Sequence, residues 1–309
     1  MPRSIVALVL GLTLSSPAAL AGEVLQAKQV AAPPSVDGTA EALWDAVPGT
    51  MVKLAPVPAA LVAINREKQS GKYAKNWGKD NYTSVAEVEL KAVYTANEVF
   101  FLARWKDASK DDQHKPFKWE GDKKAGEYVN GEEREDRLAF QFPIHGEFSA
   151  NMLSATERVV DVWQWKAART NGAGLLHDKH HVYAKSEPKG KFSTHYTADG
   201  TPIYIVRAND GGVSPYKTNK VDPFTYQGDL VAQYLPIVPE QADAADVRAR
   251  GRWQDGQWTV EAGRKLDTGH ADTDAVFAPP RATKLAVAAF DHAGDHFHAV
   301  SGVVELTFE

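Results

Sequence analysis

Apolar and polar positions alternate with a period of two along much of this chain, and that period predicts strands. Val88, Leu90, Ala92 and Tyr94 alternate with Glu87, Glu89 and Lys91, the pattern of a half-buried strand. Asn97-Glu98 makes a turn, and Val99 to Trp105 returns as the partner strand. Further strands are predicted at Leu138 to Phe142, stopped by Pro143, and at Val159 to Trp165, Ile203 to Val206, Leu285 to Phe290 and Val303 to Phe308. Trp253 to Trp258 reads as a hairpin with Asp255-Gly256 at its turn, and its second strand runs on to Ala262. Long helical patterns are scarce. Glu41 to Asp45 predicts one short turn with Trp44 inward, after an extended lead-in over Val30 to Gly38, and Ala242 to Arg250 predicts a short helix. Many strands with few helices predict an all-β fold, a β-sandwich with short helices.

Two stretches break the alternation. Residues 106–134 are rich in Lys, Asp, Glu and Gly and predict a long surface loop. Residues 172–250 hold many Gly, Pro, His and Tyr, and predict a long, loop-rich insertion covering one end of the sandwich.

The amino terminus changes the setting. Arg3, the apolar run Ile5 to Leu12, and the small-x-small site Ala19-Leu20-Ala21 read as a secretory signal over residues 1–21, so a mature chain begins near Gly22 and is periplasmic. Residues 22–309 then form one domain, and only Arg3 is present where a twin-arginine signal needs a pair. No later apolar run approaches the ~18 residues that span a bilayer. There is no cysteine. Covalent c-type haem, Cys-ligated iron–sulfur clusters and blue copper are therefore excluded. A net charge of -5 with mixed signs and no basic stripe argues against nucleic acid.

Candidate chemistry lies in a few places. His292, His296 and His298 stand between two predicted strands, and on extended chain His296 and His298 share a face suited to a metal or a haem iron. A polar loop with surface histidines has the same look. His177, His180 and His181 form a second group, whose neighbours Asp178 and Lys179 suit an exposed loop. Met152, after the Phe142-Pro143 strand end, offers a thioether for the core or for an iron. In Asp161 to Arg169, Trp163 and Trp165 share a strand face, with Lys166 and Arg169 following. An apolar wall beside cations suits a macrocycle carrying propionates. It also suits a sugar-stacking platform, or a core tryptophan pair capped by charge. No GxSxG, HExxH, Walker or dinucleotide motif is present, so no catalytic residue is assigned.

Several stretches, in order, resemble the haem b-binding gamma subunit of ethylbenzene dehydrogenase and related periplasmic molybdenum enzymes. They are Val36-Asp37-Gly38 with Trp44, Arg137 to Pro143, Asp161 to Arg169, Trp253 to Trp258 with Arg264-Lys265-Leu266, and Ala288 to Ser301. The resemblance implies a β-sandwich related to family 9 carbohydrate-binding modules, holding one non-covalent haem b between a methionine and a lysine. Carried over, it assigns Met152 to the methionine. His298, with His296 as alternate, stands where the family has lysine. Trp163 and Trp165 would wall the haem, and Lys166 or Arg169 would meet a propionate. It implies electron transfer without substrate chemistry, to a periplasmic redox partner that is either a molybdenum enzyme's catalytic subunit or a cytochrome. A carbohydrate-binding sandwich, and a copper or zinc binder using His292, His296 and His298, are the alternative readings.

Overall fold

Alternation makes strands here, and strands carry most of the chain. The computed structural model describes residues 23–69, 85–240, 243–294 and 297–309. The expected signal segment and His296 lie outside the described residues. The strands begin with β1 (Glu23–Gln29), β2 (Thr50–Pro56), β3 (Glu87–Tyr94), β4 (Glu98–Lys106), β5 (Phe117–Asp122) and β6 (Ala125–Asn130). Next come β7 (Arg137–Gly146), β8 (Arg158–Lys166), β9 (His177–Ala184), β10 (Ser193–Tyr196), β11 (Pro202–Asn209), β12 (Tyr216–Thr218), β13 (Leu230–Val231) and β14 (Tyr234–Pro236). The last are β15 (Arg248–Gln254), β16 (Gln257–Lys265), β17 (Thr283–Phe290), β18 (Ala299–Ser301) and β19 (Val304–Phe308). Among the described residues the α-helices are α1 (Ala42–Asp45) and α2 (Ala59–Lys68), and none is long and apolar enough to cross a membrane.

The strands form a β-sandwich. One layer runs β10-β11-β9-β8-β7-β17-β18, and the other holds β15-β16-β4-β3 with β1 and β19. Two strands pass between the layers. Thr50–Lys53 of β2 pair with β3 while Leu54–Pro56 pair with β18. Thr283–Leu285 of β17 pair with β19, and Ala286–Phe290 pair with β7. Between the layers Leu90, Phe101, Trp105 and Trp258 meet Phe140, Phe142, Trp163 and Trp165. Ring centroids lie 5.8 Å apart for Phe101 and Trp163, and 6.1 Å apart for Trp105 and Trp165. Aromatic burial of this size is the main stabilising contribution, as a chain without disulfides requires.

The predicted hairpin is β15–β16. Asp255 and Gly256 both have left-handed backbone (φ 51° and 77°), the primed turn that matches strand twist. Trp44 of α1 is buried, as its position predicts, and its indole N–H donates to Glu261 Oε1 at 2.9 Å. The N–H groups of Asp37 and Gly38 donate to Glu261 Oε2 at 3.2 and 2.9 Å. This ties the lead-in to the outer face of the second layer.

Two expectations are corrected. Residues 106–134 are not one long loop, since they contain the β5–β6 hairpin, in which Trp119 packs edge-on to Tyr128 at 4.9 Å. Lys and Glu occupy the solvent positions of those strands and hid the alternation. Of the expected helix Ala242 to Arg250, the described residues 243–250 form no α-helix: a 3-10 turn at Asp243–Ala245 leads into β15. There the exposed Arg248 and Arg252 alternate with buried Ala249 and Gly251, a period of two. Within the loop-rich stretch 172–250, β9, β11 and β10 extend the first layer beyond β8.

Gly251 shows how closely the layers meet. A Cβ there would stand 2.3 Å from Trp165 Cζ2 in the core. Gly251→Ala is expected to cost about 1–3 kcal/mol through overpacking, read as a lowered thermal midpoint. Gly302→Ala, where a Cβ meets nothing within 4 Å, is the matched control and is expected to leave the midpoint unchanged.

Candidate functional site

Strand β8 uses its two faces differently. Trp163 and Trp165 point into the core, while Val162, Gln164 and Lys166 point outward. The outward face is the floor of a cavity of about 670 Å³, within the range of small-molecule and cofactor pockets. Ala139 of β7 and Ala286 and Ala288 of β17 continue the floor, and their small side chains leave the room above it. The segment after α2, strand β10 and the turn carrying Met152 form the walls. An adjoining hollow of about 430 Å³ shares Met152, His195, Arg207, His298 and Val300 with it.

Met152 and His298, far apart in sequence, line both spaces. Met152 leans on the apolar cluster of Leu61, Val160, Val162 and Ile205. His298 immediately precedes β18, and its ring stacks on Phe290 with centroids 4.7 Å apart. Lys166 and Arg169 also line the larger cavity. Trp163 and Trp165 do not: they are fully buried between the layers, so they form neither a haem wall nor a sugar platform. The period of two explains the split, because residues 163 and 165 must face opposite to 162, 164 and 166. His292 turns away, with its Nδ1 3.1 Å from Asp111.

The His177 to His181 stretch is corrected from exposed loop to strand β9. His177 and His181 are 2% and 3% exposed. Lys179, His181 and Tyr183 share the face that lines the cavity. Sequence reading named His181 but placed it on an exposed loop, and it missed His195, a β10 residue whose Nδ1 lies 3.2 Å from Gln69 Nε2 and whose Nε2 lies 3.2 Å from Ser193 Oγ. The signal was available for His181: His177, Lys179, His181 and Tyr183 alternate with period two.

The charge on the lining is one-sided. Lys68, Arg137, Lys166, Arg169, Lys179 and Arg207 line the cavity, and among the described residues no Asp or Glu does. Arg137 lies over the Phe290 ring at 4.0 Å and donates to the Ala293 carbonyl at 2.8 Å. Arg169 is held by Glu135. Lys166 Nζ sits 3.0 Å from His177 Nδ1. Burial, and then the Arg169 charge, hold the Lys166 pKa well below the ordinary lysine value. Burial likewise keeps His177 and His181 neutral, helped by Lys166 and Arg207 respectively. Among the described residues no hydrogen bond reaches His181 Nε2, a buried imidazole nitrogen on the cavity wall.

The depressed His181 pKa gives a testable pH dependence. Below about pH 6.5 the unfolded chain binds a proton there that the folded chain refuses, so stability is lost as pH falls through that value. The buried carboxyl groups titrate in both proteins when wild type is compared with His181→Gln, and so cancel. The variant is expected to gain on wild type by about 1.4 kcal/mol per pH unit below 6.5, measured by urea unfolding from pH 7.5 to 5. A pH-independent difference would contradict it.

Fold and site together define an all-β sandwich with a cation-lined cavity on the outer face of one layer. The chain belongs to the ethylbenzene dehydrogenase family, whose model, described as ethylbenzene dehydrogenase, matches residues 41–301. That span runs from α1 to the end of β18 and includes both Met152 and His298. No curated protein sequence matches. Among solved structures, a putative carbohydrate-binding protein from Bacteroides uniformis ATCC 8492 is 11% identical, with a TM-score of 0.40 over 94% of this chain and 100% of that one. A family 9 carbohydrate-binding module from Caldicellulosiruptor kristjanssonii, in complex with glucose, is 7% identical, with a TM-score of 0.35 over 92% of this chain and 95% of that one.

Proposed function

We propose that the cavity over β7, β8 and β9 binds one b-type haem non-covalently, in a protein that transfers single electrons and performs no substrate chemistry. The observation that carries this reading is the lining itself, where a thioether and an imidazole share one cavity with six cationic side chains and, among the described residues, no carboxylate. Met152 and His298 belong to the two side-chain types that ligate haem iron in electron carriers. Lys166, Arg169 and their neighbouring arginines suit the two carboxylates of the macrocycle, and Val162 with the alanines of β7 and β17 suits its faces. His181 adds a neutral imidazole whose Nε2 has no hydrogen-bond partner among the described residues. When bound, haem supplies the one-electron chemistry, while the protein supplies ligands, orientation and exclusion of water.

The reading extends to a periplasmic location after export. Its partner is a molybdenum enzyme's catalytic subunit, in keeping with the family, or a cytochrome. The test is titration of the purified protein with haem, followed by oxidised and dithionite-reduced spectra and a pyridine extract. One haem per chain with sharp reduced bands is the expected result. A featureless spectrum, together with binding of glucose or cellotriose by calorimetry, would replace it with the carbohydrate-binding reading.

A further inference from the structure

We propose that Asp107, Asp136 and Asp291 form a calcium-binding site at one end of the sandwich, separate from the cavity. Asp107 follows β4, Asp136 precedes β7 and Asp291 follows β17. One carboxylate oxygen from each lies within 4.8 Å of the others. Calcium–oxygen bonds of about 2.3–2.6 Å allow three oxygens at that spacing to surround one ion, and an all-oxygen set suits a hard cation.

Asp107 and Asp136 are 2% and 0% exposed, and neither forms an ion pair among the described residues. Asp136 accepts from neutral donors only: the N–H groups of Asp111 (2.8 Å) and His292 (3.1 Å), and Trp258 Nε1 (2.9 Å). These bonds fix its orientation without neutralising it. Asp107 Oδ1 accepts the Ser109 N–H at 3.1 Å, while Oδ2 is buried with no well-formed hydrogen bond. The Trp105 indole N–H beside Asp107 is a neutral donor and does not balance its charge. A buried carboxylate without a counter-ion is the group a bound cation would satisfy.

A second acidic group in the same protein gives the contrast. Asp178, Asp210 and Asp274 also converge, but Arg264 lies 3.0 Å from Asp178 and 3.6 Å from Asp274, and His180 pairs with Asp210 at 2.5 Å. There the protein supplies the cation itself. At Asp107 and Asp136 no described residue supplies one, and half-buried Asp291 gives an ion a way in from solvent.

The experiment is calorimetric titration of the EDTA-treated full chain with calcium chloride, alongside thermal unfolding with and without calcium. One ion per chain and a raised thermal midpoint are expected. Asp107→Asn should weaken binding by at least about tenfold, because affinity follows the charge count of the ligands. Asp210→Asn should leave it intact. If buried-site variants fail to fold, Asp291→Asn, at a half-buried position, is expected to show the same loss. The proposal is overturned if wild type does not respond to calcium, or if Asp291→Asn and Asp107→Asn respond as wild type does. Loss of the response in Asp210→Asn alone would move the site to the second group, and an equal response to magnesium would overturn the choice of calcium.

Discussion

Arg264→Leu is expected to be among the most damaging single substitutions in this protein. Arg264 projects from β16 of one layer and bridges to β8 and β9 of the other. Its Nη1 lies 3.0 Å from Asp161 and 3.0 Å from Asp178, and its Nη2 donates to the Ala275 carbonyl at 2.8 Å. The guanidinium also covers the Trp163 ring at 4.7 Å. Burial already holds the Asp161 and Asp178 pKa values above the carboxylate range, with the Arg264 charge opposing the shift. Removing the cation leaves carboxylates in the interior with nothing to balance them, a loss of about 3–5 kcal/mol where total stability is about 5–15 kcal/mol. Lysine should not restore it, because one ammonium cannot reproduce the planar fork that reaches three acceptors. Adding Asp161→Asn and Asp178→Asn to Arg264→Leu should recover part of the loss. Urea unfolding measures each step, and a wild-type midpoint for Arg264→Leu would refute the clasp.

The second large effect concerns the cavity and rests on the proposed haem. His298→Ala is expected to convert a low-spin spectrum to high-spin or to abolish it, and added imidazole should restore it in part. Met152→Ala should retain haem and lower the reduction potential, because thioether ligation raises it. Lys166→Ala and Trp163→Ala separate binding from folding. The first should weaken haem affinity at a cavity position, while the second should destabilise the fold through a core position. An unchanged low-spin spectrum in His298→Ala would shift the axial imidazole to His195 or His181, which line the same cavity.

How far the sequence spoke depended on which face a strand turned to solvent. Strands with one apolar and one polar face, such as β3, gave clear alternation, and Asp255-Gly256 marked its turn because only a few residue types accept that backbone. The β-sandwich and the inward Trp44 followed from such local rules. Strand β9 was misread as a loop for a physical reason. Its outward face meets a cavity instead of water, so it carries Lys179 and His181, residue types that normally signal exposure. The joint placement of Met152 and His298 came from family resemblance alone, since pairing between β7, β17 and β18 is what joins them and no local pattern encodes it. Trp163 and Trp165 were recognised as a shared face, but alternation does not say which face meets the core. Trp258 and Phe101 on the opposite layer decide that.

The pairing of β1 with β19 bears on the order of assembly. These strands run parallel, with Ala27 opposite Phe308, and β1 also lies beside β3. The strand nearest the amino terminus therefore has one of its two neighbours only when the strand nearest the carboxyl terminus is available. Early-emerging segments can form local hairpins such as β3–β4, but this seam cannot close progressively as the chain appears. Such distant pairing slows folding, because chain closure precedes the contacts that reward it. Until that moment β1 and the Thr283–Leu285 end of β17 present unpaired edges, and β19 acts as the latch that removes them.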